Sequence, residues 1–270
     1  MHRASRHRRL RALPGAAAVL LALLLLPRPG FAQADQELVP TRLEVRTVAR
    51  DAKVIGSGVG GVRVTVSEVA TGEVLARGVQ LGGTGDTEQI MRDPVERGEA
   101  IYDTPETASY TATLMLRRPT RVKVTAEGPL AAPPASREVS SKTIWMLPGR
   151  HVEGQGLVLE LNGFFVEILS PEARTAAGEL QVRARIRMMC GCPTEPGGLW
   201  DSDRYEMVAR LLREGRPVRE VPLRYAGETN LYEARLPVEE PGTYGVEVLV
   251  ADTDRANLGR AIRSIRVTRP

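Results

Sequence analysis

The chain has 270 residues, with 37 Lys and Arg against 33 Asp and Glu, only 4% aromatic residues, 26 Gly and 19 Pro. Six of the cations and none of the acids lie in residues 1–34, so the remainder sits near −2. That balance removes the electrostatic support that a nucleic acid or an anionic membrane partner requires. The length left after residue 34 admits two ordinary domains or one large sandwich.

The N-terminus reads as a secretory signal. Arg3, Arg6, Arg8, Arg9 and Arg11 precede the apolar run Gly15 to Leu26, and Ala32-Gln33-Ala34 offers small residues for cleavage after Ala34. The apolar run is about 12 residues against the ~20 a spanning helix needs, and no later stretch approaches that length. The expectation is a periplasmic or secreted protein without membrane insertion. The residues after Arg8-Arg9 match a twin-arginine signal poorly, which points to the general export route. No cysteine stands at the cleavage point, which argues against a lipid anchor.

Beyond the signal, apolar residues alternate with polar ones. Val62, Val64 and Val66 alternate with Arg63, Thr65 and Ser67; Tyr110, Ala112, Leu114 and Leu116 share one parity, and Val122 and Val124 follow. Period two describes strands with one buried and one wet face. Turn signals separate them at Thr71-Gly72, Gly82 to Asp86 and Glu127-Gly128-Pro129. Residues 35–147 are therefore expected to form one antiparallel β-sandwich of six or seven strands, with a short helix or loop only at 88–98. The Pro-rich segment Ala131 to Pro134 and the turn Pro148-Gly149-Arg150-His151 place a boundary near Pro148, with residues 148–270 as a second domain. Its strands are expected at Phe164–Leu169, Leu180–Met188, a Tyr205–Tyr225 hairpin turning at Glu214-Gly215, Leu231–Leu236, Tyr244–Val250 and Ile262–Val267. The fold class is all-β, two antiparallel sandwiches in tandem after a cleaved signal peptide.

Two stretches resemble known architectures. Pro241-Gly242-Thr243-Tyr244-Gly245-Val246-Glu247-Val248 resembles the turn and tyrosine that open a late strand in bacterial immunoglobulin-like sandwiches. The resemblance implies that Tyr244 closes a corner by hydrogen-bonding to upstream backbone. Gly60-Gly61-Val62-Arg63-Val64-Thr65-Val66 with Thr71-Gly72-Glu73 is similar in outline to carboxypeptidase-regulatory or transthyretin-like sandwiches. Both resemblances concern fold and carry over no functional residue.

The chemistry concentrates in Met188-Met189-Cys190-Gly191-Cys192, which holds both cysteines of the chain. Leu180, Val182, Ala184, Ile186 and Met188 face one way and Arg183, Arg185 and Arg187 the other; continued extension would keep Cys190 and Cys192 on the Met188 face. Extended i, i+2 cysteines stand ~6.6–7 Å apart at Cα, so a bridge between them requires Gly191 to bend the chain. Three readings stay open: a local disulfide that stiffens a scaffold or assembly subunit, a soft Cu(I) site of two thiolates assisted by Met188 or Met189, and a thiol-disulfide exchanger. Too few Cys and His remain to complete a zinc tetrahedron.

The following loop, Pro193 to Asp203, is long, and loops on a rigid sandwich collect binding residues. Trp200 reads as an anchor on the sheet end, or as a shield over a bound cation. Asp201 and Asp203 read as turn or cap residues, because the glycine and final glutamate of a calcium loop are missing. His151, the sole histidine after the signal, reads as a solvated linker residue or an auxiliary metal ligand. Gly82 to Thr87 lacks the Gly-Lys-Ser/Thr ending of a phosphate loop and reads as a turn. The expectation is a non-catalytic exported protein that meets an exported partner, with Cu(I) as the only cofactor considered.

Overall fold

The computed structural model describes residues 37–172 and 174–269. The signal expected at residues 1–34 lies outside them. Seven strands build an N-terminal sandwich: β1 (Val39–Ala49), β2 (Val62–Glu68), β3 (Val74–Gln80), β4 (Tyr110–Leu116), β5 (Thr120–Gly128), β6 (Glu138–Met146) and β7 (Val152–Leu161). They form the sheets β4-β1-β7 and β3-β2-β5-β6. The alternation seen in the sequence sets the faces: Val62, Val64, Val66, Val122 and Val124 are sealed between the sheets with Ala112, Leu114 and Leu116. In letters the order is D-A-G against C-B-E-F, with the first and last strands parallel.

Most buried polar groups inside this sandwich find partners, although Thr47 Oγ1 has none. Gln80, fully buried, accepts from Thr47 N at 2.7 Å and donates to the carbonyls of Thr47 and Ile55, supplying β1 with bonds that no neighbouring strand makes. Arg46 is buried against Glu44 at 2.9 Å and Asp103 at 3.2 Å, and donates to the carbonyls of Thr107 and Gly154. The only α-helix among the described residues, α1 (Thr87–Met91), starts at Asp86, whose carboxylate accepts from Gln89 N. It covers the beginning of the 88–98 stretch where a helix or loop was expected.

The strand membership moves the boundary expected near Pro148. β7 pairs in parallel with β1, so residues 152–161 belong to the N-terminal sandwich and the chain changes sandwich between Leu161 and Phe164. The signal for β7 is weak in the sequence because Gly154 and Gly156, both at positive φ, interrupt its alternation where the β1 register shifts.

The C-terminal sandwich contains β8 (Phe164–Ser170), β9 (Arg174–Ala176), β10 (Gly178–Met188), β11 (Glu206–Arg213), β12 (Arg216–Pro222), β13 (Arg224–Tyr225), β14 (Leu231–Val238), β15 (Gly242–Asp252) and β16 (Asn257–Thr268). Its sheets are β13-β14-β10-β8 and β12-β11-β15-β16-β9, or D-E-B-A against C′-C-F-G-A′, an immunoglobulin-like order. All pairings are antiparallel except the short β9 with β16. The β11–β12 hairpin turns at Glu214 and Gly215, both at positive φ as a type I′ turn requires. Tyr244 hydroxyl donates to the Glu240 carbonyl at 3.1 Å, the corner that the resemblance implied. By its contacts, Leu38–Pro270 is one unit, in which the turn after β1 meets the loop after β10. No helix among the described residues is long and apolar enough to cross a membrane.

Candidate functional site

The site grows out of the end of β10. Its inward residues Leu180 through Met188 are buried, its outward Arg183 and Arg185 are exposed, and Arg187 is half-buried. Extension then stops, contrary to the continued strand considered from the sequence. Gly191 N donates to Met188 O at 2.8 Å and Met188 N to Cys192 O at 3.0 Å, closing a tight turn. Gly191 supplies the bend at φ +84, and Cys190 and Cys192, with Cα atoms 5.4 Å apart, are joined by a disulfide. Cys190 is 2% exposed and Cys192 5%.

The four sulfur residues part company here. Met188 points into the C-terminal core, where its Sδ receives a weak bond from the Tyr205 hydroxyl at 3.8 Å. The Met189 methyl packs over Gly163. The Cu(I) reading requires two thiolates, whereas these sulfurs are bonded to one another. His151 lies elsewhere. Its Nδ1 accepts from Arg42 N at 3.0 Å near the start of β1, while the Cys loop meets the turn at Asp51. Arg42 and Ala49, the last residue of β1, stand about 23 Å apart along an extended strand. His151 and the loop that follows Cys190 and Cys192 thus make these contacts near opposite ends of β1. Among the described residues, no three His, Cys, Asp or Glu side chains gather as a metal site would require.

The loop beyond the disulfide is held at three points. Thr194 is fully buried: its Oγ1 donates to Ile186 O at 2.6 Å and accepts from the Tyr232 hydroxyl at 3.0 Å, while its N–H donates to Asn230 Oδ1. Burial holds the Tyr232 phenol above its ordinary range. Asp201 caps a one-turn 3-10 helix at Ser202–Arg204, accepting from Gly197 N at 2.8 Å and Asp203 N at 3.1 Å. Those backbone donors hold its carboxyl below the ordinary Asp range. Trp200, 5% exposed, donates from Nε1 to the Asp51 carbonyl at 2.9 Å, which makes it an anchor, but on the other sandwich. Asp51 also receives Arg255 Nε at 2.7 Å from the β15–β16 turn.

Between the loop and the N-terminal sandwich lies a cleft of about 610 Å³. Its walls include the disulfide turn, Trp200 and Leu199 on one side and Lys53, Thr84 and Thr87 on the other, with Arg92 and Arg187 at its margins. Lys53 Nζ donates to Gly85 O and Thr87 Oγ1, and burial lowers its pKa. Arg187 Nη2 pairs with Glu167 at 2.7 Å, and its guanidinium lies 4.8 Å from the Phe165 ring centroid. Sequence reasoning singled out neither Thr194 and Asn230 nor the three cations. Asn230 precedes a predicted strand at positive φ, a mild turn signal, while Lys53, Arg92 and Arg187 come from segments that no spacing rule connects.

No family model and no curated protein matches this chain. Among solved structures it is similar to the fibronectin(III)-like modules of Clostridium thermocellum CbhA, at 12% identity over 87% of this chain and 92% of that one, with a TM-score of 0.27. A marsupial T cell receptor matches at 10% identity over 84% and 72%, TM-score 0.27. An engineered protein matches at 19% identity over 46% of this chain and 24% of its own length, TM-score 0.30. The fold assignment rests on the strand orders described above.

Proposed function

We propose that this chain is an exported, non-catalytic binding or accessory protein in which Cys190-Gly191-Cys192 is a structural clamp and the cleft beside it receives the ligand or partner. The observation that carries the reading is the pairing of a closed, buried disulfide turn with Trp200 reaching across to Asp51. A bonded cysteine pair fits an oxidising compartment, as does the Arg-rich, apolar N-terminus. The clamp shapes the cleft wall instead of presenting sulfur to a ligand, since both sulfur residues are nearly sealed from solvent. The remote position of His151 leaves the cysteines without the base that a nucleophilic mechanism recruits.

Thiol counting on the purified protein, followed by Cu(I) titration against a competing chelator, tests this. The expected result is no free thiol in the folded protein and no copper retained. Two free thiols with saturable, cysteine-dependent Cu(I) binding would overturn it in favour of copper storage or handover. Rapid turnover with a thiol substrate would overturn it in favour of disulfide exchange.

A further inference from the structure

We propose that the outer face of the β3-β2-β5-β6 sheet binds an acidic polysaccharide, with Trp145 stacked on a sugar ring and Arg121, Lys123 and Arg77 holding the carboxylates. The strand register fixes which side chains share this face. Arg121 stands opposite Trp145, Lys123 lies between Ser67 and Thr143 in the next row, and Arg77 ends the row of Thr65, Thr125 and Ser141. The three cations are exposed, and so is Trp145, at 64% where Trp200 is at 5%. Among the described residues none of the three cations has a hydrogen-bond or ion-pair partner. The carboxylates near them are engaged: Glu127 holds Arg63 at 2.9 Å and Arg137 at 3.2 Å, and Glu68 holds Arg118 at 3.4 Å. Glu73, in the β2–β3 turn, pairs with none of the three. The outer face of β10 differs, since Arg183 meets Glu233 there while Arg185 and Arg187 share Glu167. The chain beyond residue 34 is near −2, so the surplus of positive charge is a property of this face and attracts an anion locally.

The spacing selects a polymer. Arg121 and Lys123 are about 7 Å apart along β5, and Arg77 lies two strands across and four residues along from Arg121, about 17 Å at Cα. No single carboxylate or phosphate reaches all three, whereas a chain that carries a charge on successive units does. Trp145 selects sugar as the unit, because the indole offers a flat apolar surface to the C–H face of a pyranose while its cross-strand neighbour Arg121 takes the acid group. The hydroxyls of Thr65, Thr125, Ser141 and Thr143 supply donors and acceptors for the ring hydroxyls.

The full chain is titrated by calorimetry at fixed ionic strength with alginate, a polyuronate, and separately with neutral dextran and a single-stranded DNA oligonucleotide. The expected result is saturable binding to alginate, none to dextran, and weaker binding to DNA at equal charge concentration. Trp145→Ala weakens alginate binding about tenfold or more, as loss of a central aromatic contact does. Arg121→Ser and Lys123→Ser each weaken it about threefold or more. Arg266→Ser, which removes an exposed cation from β16 on the other sandwich, leaves it unchanged. All four side chains are exposed, so the variants keep the parent urea midpoint. No saturable binding to alginate, DNA bound as tightly as alginate, or affinity unchanged by Trp145→Ala and by both cation variants would overturn the inference. An equal loss from Arg266→Ser and Arg121→Ser would overturn it in favour of diffuse attraction. This face is separate from the cleft beside Cys190 and Cys192, and the thiol count and copper titration do not involve it, so each proposal fails separately.

Discussion

Two residues decide whether the Cys loop keeps its shape. Gly191 sits at φ +84, where an added Cβ would stand 3.0 Å from Val59 Cγ1. Gly191→Ala combines left-handed backbone strain with that tight contact, and is expected to lower stability by about 1–2 kcal/mol in urea unfolding. Trp200 offers a separate probe. Trp200→Phe keeps most of the ring burial but leaves the Asp51 carbonyl without its donor, with an expected loss of about 1–2 kcal/mol by the same measurement. An unchanged midpoint for Trp200→Phe would show that the cross-sandwich bond contributes nothing. The need for Gly191 to bend was legible from the spacing alone, because a bridge between i and i+2 has no other route. The target of Trp200 was not, since Asp51 is 149 residues away in sequence.

At the scale of elements, strict alternation made β10 and β15 readable, and glycine both hid and enabled others. Gly154 and Gly156 concealed β7, and with it the true change of sandwich, because they break the period that identifies a strand. Gly259 shows the opposite use. An added Cβ there would lie 2.7 Å from Phe164 N and Cβ and 2.8 Å from its carbonyl oxygen, so β16 approaches the start of β8 closely only without a side chain. Gly259→Ala is expected to destabilise by about 3 kcal/mol, the upper end of overpacking costs, because backbone atoms cannot rotate away. Thermal or urea unfolding checks it, and a near-neutral result would mean that β16 shifts freely against β8. The turn of the β11–β12 hairpin was legible, because Glu214-Gly215 flanked by alternating residues is a local device, but its expected end was not: Arg224 and Tyr225 leave the hairpin and pair with β14 in the other sheet.

For the whole molecule, the titrating groups define a pH window of stability. Asp201 is held below its ordinary pKa by the Gly197 and Asp203 N–H groups, and Glu127 by its hydrogen bond to Arg137, with Arg63 adding to it. A lowered carboxyl pKa means the folded state binds protons less tightly than the unfolded chain, so this stability is full above the unfolded value and lost as pH falls through the folded one. The phenols of Tyr205, Tyr232 and Tyr102 are raised, chiefly by burial; their contribution is full below the unfolded value and lost as pH climbs past about 10. The urea midpoint is therefore expected to be flat near neutrality, to fall below about pH 4, and to fall again above about pH 10. A midpoint still rising below pH 4 would contradict this. By itself the sequence determined the all-β class and the faces of the regular strands, since each depends on neighbours within a few residues. Only the tertiary structure decided that β7 closes the first sandwich, that the sulfur residues diverge while the cysteines bond, and that Lys53, Arg92 and Arg187 line one cleft. Those facts arise where segments far apart in the chain are packed together, and local periodicity carries no record of which surfaces will meet.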